Sequence, residues 1–96
     1  MPAAEPATVE RAGATLRFGG ALQRDAIAAL WRVALPLAGE ADRFDLTAVT
    51  RVDSAGVALL AEIAARIGAP VAIDGTPPGL AELRAAYRLT PGLAFA

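Results

Sequence analysis

Cysteine, histidine and lysine are all missing from this chain of 96 residues. Without cysteine there is no disulfide and no thiol nucleophile. Without histidine the chain loses the usual general base near neutral pH and the commonest zinc ligand. The carboxylates are scattered, with no tight pair and no calcium-loop spacing. No P-loop signature is present, so nucleotide hydrolysis by this chain is not expected. The net charge of −1 supplies neither a basic groove for nucleic acid nor a cationic membrane surface. Apolar runs are too short to span a bilayer. Met1–Pro6 has neither the basic region nor the apolar run of a signal peptide, so a soluble cytoplasmic location is expected. The inventory argues against an enzyme and calls for no metal or cofactor.

What is present is apolar weight. Hydrophobic residues make up 55% of the chain, enough to build a core and too many for disorder. The length suits one small domain, expected over residues 7–96, after a loose proline-containing end over residues 1–6. Every basic residue is arginine; beside so much alanine, this reads as coding bias rather than a selected surface.

The first strong pattern is alternation. Thr8–Arg11 and Thr15–Phe18 alternate polar and apolar residues around Ala12-Gly13-Ala14, predicting a β-hairpin with Leu16 and Phe18 facing inward. Gly19-Gly20-Ala21 is read as a break. A helix is expected from about Arg24 to Leu35, with Ile27, Leu30, Trp31 and Ala34 on one buried face. Pro36 should end or kink it, and Gly39–Asp42 reads as a loop.

The chain is organised around residues 44–60. Phe44–Leu46 reads as a short buried strand, followed by a polar turn and an apolar helix. Asp53-Ser54 is a helix-start signal, because short polar acceptors satisfy first-turn N–H groups. Gly56 would allow close approach to that turn. Val57, Leu60, Ile63, Ala64 and Ile67 form the expected core face. Ser54, Ala58, Ala61 and Ala65 form a stripe of small residues, and Leu59 points away from the core face. Glu62 and Arg66, four apart, are expected to pair. Gly68 closes the helix, Val71–Ile73 is a short strand, and a third helix is expected over Gly79–Leu89 with Leu80, Leu83 and Tyr87 inward. Pro91-Gly92 should stop that helix, leaving a short apolar tail at Leu93–Ala96.

The order β-β-α-β-α-β-α implies an α/β fold: a mixed four-stranded sheet with an N-terminal hairpin and three helices. Order and motif together resemble the STAS domain (sulfate transporter and anti-sigma factor antagonist). Within it, three stretches resemble the MlaB-type domains of phospholipid transporters. They are Phe18–Leu22 ahead of Asp25 and Leu30-Trp31, the stretch Asp45-Leu46-Thr47 with Val49–Gly56, and Leu83–Leu89 with Tyr87. Ala55 departs from the pattern, where a second glycine is common.

The resemblance implies a binding module rather than an enzyme. It would be a non-catalytic STAS subunit that supports the cytoplasmic, MlaF-like ATPase of an Mla-type ABC transporter, in complex with its permease. Such a transporter maintains outer-membrane phospholipid asymmetry. The subunit would be peripheral to the inner membrane through that complex, with no insertion of its own and at most weak self-association. The implied partner surface is Thr50, Arg51, Ser54, Ala55, Ala58, Leu59 and Glu62, with Ser54 in a close-packed polar spot and Leu59 as apolar anchor. Thr47, Thr50, Arg51 and Asp53 would flank Ser54 on the preceding loop.

Three alternatives stay open. An anti-sigma-factor-antagonist type regulator would be switched by phosphorylation of Ser54. A Ser54 nucleophile would need a base from the carboxylates or a partner. Ser54 could also belong to a helix cap, in which case Ser54→Ala costs about 1 kcal/mol of stability.

Overall fold

Seven elements follow in the expected order in the computed structural model, which describes residues 6–90, 92 and 93. They are β1 (Thr8–Ala12), β2 (Thr15–Leu22), α1 (Arg24–Leu37), β3 (Arg43–Val52), α2 (Ser54–Ile67), β4 (Ala72–Asp74) and α3 (Leu80–Ala86). The sheet order is β1-β2-β3-β4, with β1 antiparallel to β2 and the other two pairings parallel. A two-residue turn at Gly13-Ala14 closes the hairpin in the predicted place. No helix among the described residues is long and apolar enough to cross a membrane.

One face of the sheet carries the core. Leu16 and Phe18 of β2 and Phe44, Leu46, Val49 and Val52 of β3 are buried beneath α1 and α2. Phe18 and Phe44 meet edge to face with centroids 5.5 Å apart, a geometry that suits the aromatic quadrupole. The opposite face presents Arg17, Thr47, Ala48, Thr50 and Arg51 to solvent.

Two strands are longer than their sequence pattern suggests. β2 does not break at Gly19-Gly20; it runs on to Leu22, with Gly19 buried inside it. β3 is not the short Phe44–Leu46 strand followed by a turn. It continues for ten residues to Val52, so Thr47, Thr50 and Arg51 belong to a strand and not to a loop. The reason lies in the register. Arg17 pairs with Asp45, Gly19 with Ala48, Gly20 with Val49 and Ala21 with Arg51, so β3 twice carries one residue more than β2. Each bulge shifts the inward side chains by one and destroys simple alternation. At the first bulge Asp45 Oδ1 accepts from the Thr47 N–H at 2.9 Å and from its hydroxyl at 2.6 Å. The hydroxyl bond, then the N–H bond, hold the Asp45 carboxyl below its ordinary value.

The helices differ from expectation mainly at their ends. α1 continues to Leu37 with Pro36 in its last turn, and Arg11 of β1 donates to the Leu37 and Gly39 carbonyls there. A cation at the negative end of the helix dipole is favourable. Leu30 and Ala34 are buried as expected, whereas Ile27 and Trp31 are only partly so. Arg66 of α2 lies over the Trp31 ring at 5.2 Å and pairs with Glu62 at 3.5 Å. α2 ends in the predicted left-handed Gly68 cap.

α3 stops at Ala86, because the chain turns through Tyr87 and a left-handed Arg88. Tyr87 is therefore 45% exposed rather than inward, while Leu89 is buried in its stead. Leu93, the first residue of the expected apolar tail, is buried in the core. Residues 1–5 of the expected loose end, Pro91 as helix stop and residues 94–96 of the tail lie outside the described residues.

Candidate functional site

The parallel pairing of β2 and β3 brings their C-terminal ends together at Leu22 and Val52. Both strands feed helices there, so α1 and α2 start side by side. Asp53 stands between them. Its Oδ1 accepts from the Gly56 N–H at 2.9 Å, capping α2, and its Oδ2 accepts from the Arg24 N–H at 2.9 Å, at the first residue of α1. Gln23, the residue before α1, makes no side-chain cap of its own. The Asp53 N–H in turn donates to the Leu22 carbonyl at 3.1 Å.

Partial burial pushes the Asp53 carboxyl upward, but the N–H groups of Gly56, Arg24 and Ala55 and the charge of Arg24 outweigh it and leave it below its ordinary value. Gly56 is packed against Leu22 so closely that a Cβ would overlap the Leu22 carbonyl. This is the close approach that its place in the sequence suggested.

Ser54 is the first residue of α2 and is exposed. The cap is made by the Asp53 carboxylate, so the Ser54 hydroxyl is left at the surface instead of being spent on the helix start. One and two turns further on, Ala58 and Ala61 continue the same stripe, exposed and half-buried, and Ala65 is exposed again. Together with Thr90 and Leu93 these alanines line an open groove of about 720 Å³ that also takes in Glu62 and Val71. Ala61, Ala65, Thr90 and Leu93 were not among the expected partner residues. The alanines were visible in the sequence as part of the stripe. The approach of residues 90–93 was not, because it depends on where the chain returns after α3.

Of the expected surface, Ser54, Ala58 and Glu62 are exposed along α2 and Ala55 is half-buried. Thr50 and Arg51 are exposed at the end of β3, just before the Asp53 cap. Leu59 is the exception. It is only 3% exposed and belongs to the core cluster, so it is not a surface anchor. The cause is that α2 packs against α1 and α3 as well as against the sheet. Its buried arc is therefore wider than one apolar stripe and takes in Leu59 beside Leu60 and Ile63.

A family model described as "MlaB, STAS domain" matches residues 7–93 of the chain. No curated protein matches it.

Proposed function

We propose that this chain, which belongs to the MlaB-type STAS domain family, is a non-catalytic subunit that binds and supports the ATPase of an Mla-type phospholipid transporter. The ATPase is MlaF-like and works in the cytoplasm with its permease, so the subunit lies at the inner membrane through its partners and inserts nothing itself. The observation that carries the reading is the outer face of α2. A helix that buries Val57, Leu59, Leu60 and Ile63 on one side presents Ser54, Ala58 and Ala65 to solvent on the other. Small side chains let a partner helix approach closely, and a single hydroxyl at the helix start gives that contact a polar fixed point. The docking residues in this reading are Thr50, Arg51, Ser54, Ala55, Ala58 and Glu62.

The test is capture of partners by the tagged protein in its native host, wild type beside Ser54→Arg, with mass spectrometry. Recovery of an ABC-type ATPase and its permease by wild type alone is the expected result. Equal recovery by both proteins would move the interface to another face.

A second reading has its own observation. Ser54 is exposed, and its neighbour already caps the helix, so a kinase could reach the hydroxyl without unwinding α2. A phosphate there would add about −1.5 to −2 charges beside Asp53 and repel a tightly packed partner. Recovery of a serine kinase or a sigma-factor regulator in the same experiment would favour this phospho-switch.

A further inference from the structure

The starts of α1 and α2 share one carboxylate. Asp53 gives one oxygen to Gly56 of α2 and the other to Arg24 of α1, and Gln23 adds no side-chain cap. The same residue's N–H is bonded to the Leu22 carbonyl, against which Gly56 is packed. Each helix start is thus defined relative to the other through Asp53, and Ser54 is the next residue along. We infer that Asp53 is a positioning residue, which locks the two helix starts into one unit and so presents Ser54 and the α2 face to the partner.

For its partner this inference rests on the reading above. An ordinary N-cap contributes stability to one helix and can be replaced by any good cap. A shared carboxylate does something a local cap cannot, because any movement of Asp53 gives up the bonds to both helix starts at once.

Two substitutions separate these roles. In Asp53→Asn the side-chain carbonyl can still cap one helix, but the amide NH2 cannot accept the second bond. Gln23→Ser then gives α1 a cap of its own, since residue 23 already has the extended backbone of a cap (φ −123°, ψ 162°). The proteins compared are wild type, Asp53→Asn, Asp53→Asn with Gln23→Ser, and Ser54→Arg. Each is measured for melting temperature, for affinity toward the purified ATPase–permease complex of its host, and for amide exchange at Arg24 and Gly56.

Asp53→Asn should bind about tenfold more weakly, the scale of one lost charge-assisted bond. Adding Gln23→Ser should restore the melting temperature and leave the affinity low. In wild type the Arg24 and Gly56 amides should exchange through one common opening, and in both Asp53 variants at separate rates. If Gln23→Ser restores affinity along with stability, Asp53 is only a helix cap and the inference is overturned. Unchanged exchange at Arg24 in Asp53→Asn overturns it equally. If wild type binds no ATPase, the reading of the partner fails, and the exchange of the two amides alone decides whether Asp53 couples the helices.

Discussion

Gly56 rests on the backbone carbonyl of Leu22, at a distance that leaves no space for a Cβ. The start of α2 is thereby set directly on the end of β2, and Ser54 is carried to the surface two residues earlier. Gly56→Ala has no flexible atom to push aside, because its obstacle is backbone. It should destabilise the protein by about 1–3 kcal/mol, read as a lower urea midpoint. A wild-type midpoint would mean that the helix start can slide without cost.

Asp53 and Ser54 should separate sharply in stability, since only the first is the cap. Asp53→Ala is expected to cost at least about 1 kcal/mol, and Ser54→Ala to stay within about 0.5 kcal/mol. Chemical denaturation of both variants checks this. A loss at Ser54 equal to that at Asp53 would restore the capping role to the serine.

Acid should weaken the Asp53 contribution in a defined window. Its carboxyl sits below the ordinary value of 3.8 in the fold. The folded protein therefore prefers the charged form, and the stabilisation is complete above the unfolded-state pKa. It is lost as pH falls through the lower folded value. The melting-temperature gap between wild type and Asp53→Asn should hold from neutral pH down to about 4 and close below it. A gap that widens in acid would mean that burial, not the N–H groups, dominates that carboxyl.

Leu59→Ala distinguishes a core residue from a docking anchor. With its side chain in the core cluster, the substitution should cost about 2–5 kcal/mol of stability. An anchor would instead lose partner affinity at unchanged stability.

Much of this was legible in the sequence. The hairpin at Gly13-Ala14, the element order, the Gly56 contact, the Gly68 cap and the Glu62–Arg66 pair all follow from local chemistry that neighbouring residues state for themselves. What was not legible depends on partners distant in the chain. The two bulges of β3 hide the continuation of that strand from Thr47 to Val52, because a bulge is a mismatch with β2 and has no signature within β3 alone. Leu59 looked outward on a helical wheel drawn against a sheet, but α1 and α3 extend the buried arc. Tyr87 looked inward on a helix that in fact ends one residue before it. Asp53-Ser54 marked the start of α2, with Asp53 as its cap, while the second bond of Asp53 to Arg24 could not be read from residues 29 positions apart.

If the exposed face of α2 meets the transporter ATPase, as proposed, one arginine on that face must block binding while another placed elsewhere must not. Ala58 is exposed on that face, and Ala12 is exposed at the end of β1 on the sheet edge. The affinity of Ala58→Arg and Ala12→Arg for the purified ATPase complex would be measured by calorimetry, with melting temperatures showing that both remain folded. Ala58→Arg is expected to abolish binding, and Ala12→Arg to bind like wild type. Binding retained by Ala58→Arg, or lost only in Ala12→Arg, would contradict the proposed interface.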